Sequence, residues 1–137
     1  MRILVDTPVW SLALRRTMAN LSTGQIFQRR QLERLIEEGS VEIIGPIRQE
    51  LLSGFRQQAQ FERLREYLRR FEDARLVPED YEEAAHIHNQ CRAAGVSGSA
   101  VDFLICAVAL RRDWQIFTLD GDFRRFARKV DISLYGV

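Results

Sequence analysis

The sequence predicts an α/β fold, a three-layer α/β/α sandwich around a mainly parallel sheet of four to five strands. Short apolar, β-branched runs alternate along the chain with segments of helical periodicity, an order that implies parallel pairing through helical crossovers. Acidic residues also stand repeatedly where an apolar segment stops or starts: Asp6, Glu50, Asp102, Asp120 and Asp122. No repeat, linker or low-complexity stretch interrupts the pattern, so residues 1–137 read as one domain.

The first strand is residues 2–5, with Ile3, Leu4 and Val5 in succession before Asp6. A helix over 7–16 follows; Pro8 is tolerated in its first turn, where its missing amide would have no partner anyway. The polar stretch 17–24 reads as a loop, and 25–38 as a helix with Ile26, Leu32, Leu35 and Ile36 at helical spacing, closed by Gly39. Residues 41–44 form a second strand. Gly45-Pro46 then opens a helix running to about Ser53, stopped by Gly54.

A longer amphipathic helix spans 57–73, with Phe61, Leu64, Leu68 and Phe71 on one side. A weak third strand at 74–77 precedes a helix over 79–94, and Gly98-Ser99 begins a strongly apolar helix through about Arg112. A fourth strand at 115–119, a short helix at 121–129 and a final edge strand at 132–135 complete the order.

The chain carries 46% apolar residues, ordinary for a globular protein and unlike a disordered one. No apolar run approaches the ~18 residues of a membrane span, and the N-terminal apolar stretch is too short for a signal peptide; the expected location is the cytoplasm. Cys91 and Cys106 lack the paired spacing of a zinc or redox motif and are expected to be reduced thiols. His86 and His88 are two apart, so on a helix they point in different directions and do not suit a zinc pair. Net charge is +1, which announces no nucleic-acid binder, although 19 of the 20 basic residues are Arg, the side chain better suited to bidentate phosphate contact. Trp10 and Phe27 are expected in the core.

Each acid has two readings. Asp6, at the carboxyl end of the first strand, is placed where open α/β sheets build their sites, and equally where a helix wants its N-cap. Asp120 and Asp122, in Thr118-Leu119-Asp120-Gly121-Asp122, follow the fourth strand; Asp-Gly is also plain turn chemistry. The two strands could be neighbours, which strengthens the functional reading. Asp102 is the one polar residue in the otherwise apolar run 100–110, so it faces the interior or a cleft. Ser99 and Asp102 also match a capping box, although the short Asp reaches back less easily than Glu. Glu50 lies about 60° off the stripe of Ile47, Leu51 and Phe55, at the border between core and solvent; a surface glutamate is the default for it.

Together the acids read as a pocket. Close carboxylates repel unless a cation intervenes, and the cation with this ligand preference is Mg²⁺ or Mn²⁺. Such an ion suits hydrolysis of a phosphodiester. Arg15, Arg16 and Arg48 are candidates to hold substrate phosphates. A phospho-accepting receiver domain also gathers acids at strand ends, but it wants a lysine after a late strand, and the only lysine, Lys129, follows the helix instead. A catalytically silent binding module on the same scaffold is the remaining rival.

Four segments carry a family resemblance: Val5-Asp6-Thr7-Pro8-Val9-Trp10, Glu50-Leu51-Leu52-Ser53-Gly54, Asp102-Phe103-Leu104-Ile105-Cys106-Ala107, and Thr118-Leu119-Asp120-Gly121-Asp122-Phe123. In that order and spacing the chain resembles a PIN-domain ribonuclease, and more narrowly the VapC-like toxin of a type II toxin–antitoxin pair. The resemblance implies that Asp6, Glu50, Asp102 and an acid of the last segment bind Mg²⁺ or Mn²⁺ and hydrolyse RNA, with Asp120 and Asp122 both eligible. It assigns Thr7, Ser11 and Thr118 to orienting roles, and it implies a homodimer and a VapB-like antitoxin. Pro8 and Cys106 depart from the family's usual residues without removing an acid.

Overall fold

Three consecutive buried residues make the central strand. Ile3, Leu4 and Val5 are enclosed on both faces, as expected of a parallel strand covered by helices on each side. The structure, a computed structural model, describes residues 1–136. Its elements run β1 (Ile3–Val5), α1 (Thr7–Leu14), a 3₁₀ turn (Met18–Asn20), α2 (Thr23–Glu37), β2 (Val41–Glu42), α3 (Gly45–Leu52), α4 (Gln58–Leu68), α5 (Pro78–Ala93), α6 (Ala100–Arg112), β3 (Gln115–Phe117), α7 (Asp122–Ala127) and β4 (Ser133–Leu134). The four described strands lie in the order β2-β1-β3-β4, every pair parallel. With helices on both faces this is the expected three-layer α/β/α sandwich.

The register decides which residues come abreast at the strand ends. Ile3, Leu4 and Val5 face Gln115, Ile116 and Phe117 in turn, so β1 and β3 end level with each other. All carboxyl ends point the same way, and the crevice they share is where this architecture places its chemistry. Helix α6 is buried from Phe103 through Ala109, which agrees with its apolar character on every side. The Phe103 ring of α6 meets Phe126 of α7 at a centroid separation of 5.2 Å, and Phe126 in turn packs on Phe123 of its own helix at 5.1 Å. Gly98 sits against this cluster: a methyl group there would stand 2.6 Å from the Phe126 ring, so no larger residue fits without repacking.

The structure differs from expectation in four places. Residues 74–77 are not a strand. Only a single bridge, Ile43 to Asp73, continues the sheet there, since the main chain leaves after one pairing toward Pro78. Helix α4 ends at Leu68 rather than 73, with the Arg48 guanidinium bonded to the carbonyls of Leu68 (2.9 Å) and Phe71 (2.5 Å) and to the Asp73 carboxylate (2.8 Å). The Leu68 carbonyl also accepts the Phe71 amide (3.0 Å), and carbonyls at and just past a helix end carry partial negative charge, so a cation is well placed on them. The expected loop 17–24 contains a 3₁₀ turn and the Ser22–Gln25 capping box that starts α2. Phe27 is 63% exposed on α2, against the expectation that it joins the core, whereas Trp10 is fully buried with its indole N–H on the Val5 carbonyl.

Cys91 and Cys106 are free and buried, and burial pushes both thiols up from their ordinary range. His88 lies flat on Phe103, rings 4.7 Å apart. No helix among the described residues is long and apolar enough to cross a membrane.

Candidate active site

Because β1 and β3 end level, the next residues, Asp6 and Thr118, come abreast. The Asp6 amide donates to the Phe117 carbonyl (2.8 Å), extending the ladder one step. The Thr118 hydroxyl donates to Asp6 Oδ2 at 2.8 Å. The same hydroxyl oxygen accepts the Asp120 amide (3.0 Å), and Asp120 Oδ1 accepts the Asp122 amide (2.9 Å). One threonine thereby ties the first acid to the turn that carries the last two.

On its other side, Asp6 is the N-cap of α1. Its Oδ1 accepts the Thr7 amide at 2.8 Å, while the Thr7 hydroxyl donates to Glu50 Oε1 at 2.9 Å. Glu50 itself is exposed and projects from α3, whose start is set by Pro46 and whose inner face is Ile47 and Leu51. Asp102 is half-buried in the first turn of α6. Its Oδ2 accepts the Ser99 amide (3.0 Å) and its own amide donates to Ser99 Oγ (3.1 Å), so the capping box forms in full and the shorter Asp does reach back. Capping and charge delivery are thus compatible for both Asp6 and Asp102: each spends one oxygen on a helix N-terminus, whose partial positive charge steadies the carboxylate.

The charges of Asp102 and Asp120 are felt at Asp6. Asp6 is 6% exposed, and its pKa rises from the ordinary 3.8 to about 6. Burial is the main cause; the bonds from Thr118 and Thr7 oppose it, and the negative charges of Asp102 and Asp120 add to it. Among the described residues no arginine or lysine is ion-paired with Asp6, Glu50, Asp102 or Asp120. Asp122 differs: it is ion-paired with Arg125 one helical turn on. Nor do three acidic, His or Cys side chains of the described residues close around a single point at ligand spacing. The acids form an open cluster, tied at Asp6 and spread around it.

The orienting candidates divide. Thr7 and Thr118 bond to the acids as described; Ser11 is half-buried on α1, with no part in that network. The arginine candidates divide too. Arg15 stacks on Phe55 at 4.2 Å and reaches the Ser53 carbonyl, and Arg16 reaches Asn20 O, both remaining exposed with donors to spare. Arg48 must be withdrawn as a phosphate ligand: its guanidinium is engaged by the end of α4 and by Asp73. Sequence reasoning also missed Gln28, Arg124 and Tyr135, which line a cleft adjoining Thr118 and Asp120. They come from α2, α7 and the segment after β4, and no local motif links them.

The fold and site define a class: a parallel α/β sandwich with acids at the carboxyl ends of its two central strands. The chain belongs to the PIN domain family, whose model matches residues 3–129. Its fold is shared with a chain of VapBC2 from Rickettsia felis bound to a DNA fragment from their promoter, at 16% identity and a TM-score of 0.73, covering 98% of this chain and 97% of that one. It is shared equally with a chain of FitAcB from Neisseria gonorrhoeae (22% identity, TM-score 0.75, coverage 98% and 96%). A chain of DNA-bound VapBC from Salmonella typhimurium matches likewise (14% identity, TM-score 0.70, coverage 98% and 96%).

Proposed function

We propose that the protein is a Mg²⁺- or Mn²⁺-dependent endoribonuclease acting as the toxin of a toxin–antitoxin pair. The observation that carries this reading is the buried Asp6, tied through Thr118 to the turn of Asp120, raised to about 6 by burial and by two neighbouring carboxylates, and ion-paired with no arginine among the described residues. A hard divalent cation fits this donor set. The donors are carboxylate oxygens, and Mg²⁺ retains waters between itself and some ligands, which suits an open cluster better than a closed cage. Asp6, Asp102 and Asp120 would hold the ion. Asp120 is favoured over Asp122 because its charge is felt at Asp6 whereas Asp122 is paired with Arg125. When bound, the cation polarises a phosphoryl oxygen and lowers the pKa of a coordinated water.

The chain's own groups do the rest. Thr118 and Thr7 fix the two oxygens of Asp6, and Thr7 also anchors Glu50, whose second oxygen is open to orient an attacking water or take its proton. Arg15 and Arg16 supply exposed positive charge for the RNA backbone. The structural neighbours from VapBC and FitAcB assemblies support a VapB-like antitoxin as partner. A homodimer, a single nuclease domain and a cytoplasmic location complete the reading.

The test is cleavage of total RNA with Mg²⁺ and with chelator, the new ends being mapped. Wild-type protein should cut only with metal, and Asp6→Asn or Asp102→Asn should not cut. Wild-type rates in both variants would sink the assignment. Metal titration of uncut samples separates the silent-module rival, which would keep the scaffold without cleavage.

A further inference from the structure

Beside the acid cluster lies a cleft that shares Thr118 and Asp120 with it. Thr118 and Asp120 form one wall of a cleft of about 320 Å³ between α2 and α7, floored by the β3–β4 edge. Its other lining includes Gln28 from α2, Arg124 from α7, and Leu134 and Tyr135 at the end of β4. We propose that this cleft is a specificity subsite that receives one nucleotide of a single-stranded RNA next to the scissile phosphate.

Size, lining and position support this occupant. The volume is at the small end of ligand-binding cavities, adequate for one nucleotide and too narrow for a duplex. The lining combines the three elements that recognise an unpaired nucleotide: an aromatic and aliphatic wall for a base, an amide for its edge, and a cation for its phosphate. Tyr135 is half-buried and backed by Phe117, rings 5.0 Å apart, so its ring is held in place. Gln28 offers both a donor and an acceptor, which lets it distinguish base edges. Arg124 is exposed and has no carboxylate partner among the described residues, unlike its neighbour Arg125, which Asp122 holds. A strand whose scissile phosphate meets Asp120 passes directly into this cleft, because Asp120 belongs to both.

The inference rests on the nuclease reading but can fail separately from it. Affinity for homopolymeric single-stranded oligoribonucleotides of the four bases is measured by fluorescence anisotropy in an Asp6→Asn background, with Mg²⁺ present. Arg124→Ala should weaken binding about tenfold and lower the salt slope by about 0.7, the loss of one single-strand phosphate contact. Gln28→Glu, which removes the amide donor, should change the order of preference among the four bases. Arg92→Ala, an exposed arginine on α5, should change neither. Affinities within twofold of the parent in both cleft variants, or an equal loss in Arg92→Ala, overturn the subsite. Wild-type protein that cuts no RNA while the cleft variants still alter binding overturns the nuclease reading and, with it, the place of the cleft beside a scissile phosphate, leaving a nucleotide-binding cleft alone.

Discussion

Asp6 and Asp80 are the two buried aspartates of this protein, and they are treated in opposite ways. Asp80 is fully buried in the first turn of α5. Arg112 grips both its oxygens (2.7 and 3.0 Å), Arg111 adds a third charged donor at 2.5 Å, and the Val77 amide a fourth bond at 2.9 Å. These donors, Arg112 foremost, hold its carboxyl well below the usual carboxylate range in spite of burial. Asp6 receives only two neutral donors and faces two more negative charges, so burial prevails and the carboxyl rises. The first arrangement locks α5 to the end of α6; the second stores unsatisfied charge in a crevice. Two arginines close on Asp80, where the fold needs them, and none is ion-paired with Asp6 among the described residues.

The contrast between the two aspartates is most easily broken at Asp80. Asp80→Ala leaves two guanidinium groups around an apolar hole, and removal of one member of a buried charge network costs about 3–5 kcal/mol. Urea unfolding at pH 7 should show a loss near the lower end of that range, since Arg111 and Arg112 are partly solvated. A loss below about 1 kcal/mol would deny the network its structural role.

Asp6→Asn should act in the opposite direction. At pH 7 the ionised Asp6 opposes folding, because its folded pKa of about 6 lies above the ordinary 3.8. The shift corresponds to at most ~3 kcal/mol. The metal-free Asn variant should therefore be more stable than wild type at pH 7 while losing cleavage. For a carboxyl whose folded pKa is raised, the protonated form favours the folded state, so this advantage should grow as pH rises from about 4 to 6 and vanish below it. Asp80 gives the reverse sign: its contribution is present above the ordinary carboxylate range and disappears on acidification through its depressed folded value. A stability difference between Asn variant and wild type that does not depend on pH would contradict the assigned cause.

A third effect is expected from the ion itself. Mg²⁺ at a hundred times its Kd should stabilise wild type by about 2.7 kcal/mol and leave Asp6→Asn nearly unmoved, read as a rise in Tm of several degrees. Equal shifts in both proteins would place the ion elsewhere. The smallest effect belongs to Thr7→Val, which unties Glu50 from the cluster. One hydrogen bond is worth about 1 kcal/mol, so kcat should fall several-fold to tenfold with stability changed by no more than that amount. An unchanged kcat would remove Glu50 from the reacting centre.

Local patterns carried much of this into view. The helix starts at Pro8 and Pro46, the apolar α6 and the strand-end acids are all features of a few adjacent residues, and the structure puts them where the pattern does. The strand at 74–77 did not form because pairing with Ile43 is confined to a bridge at Asp73, and Ala74 and Leu76 pack against the core without a further strand partner. Arg48 was misread for a similar reason: its partners arrive from the end of α4. Nothing near Asp80 in sequence distinguishes it from Glu79 beside it in the first turn of α5; the two arginines that hold it come from α6. Phe27 has the residue type of a core position and lies on the outward side of α2, which the mixed periodicity of that helix did not reveal. Contacts between remote elements are what a linear pattern leaves out.

The bond between Thr118 and Asp6 spans 112 positions of sequence. A nascent chain emerging N-terminus first therefore carries Asp6, Glu50 and even Asp102 outside the ribosome without a competent crevice. Only when β3 slides in beside β1 do Thr118 and Asp120 reach Asp6. That contact is long-range and carries a loop-closure cost that the local caps do not, so the acid cluster cannot be complete until the C-terminal quarter of the chain has joined the sheet. For a chain whose proposed activity destroys RNA, the topology itself delays the moment at which that activity can begin.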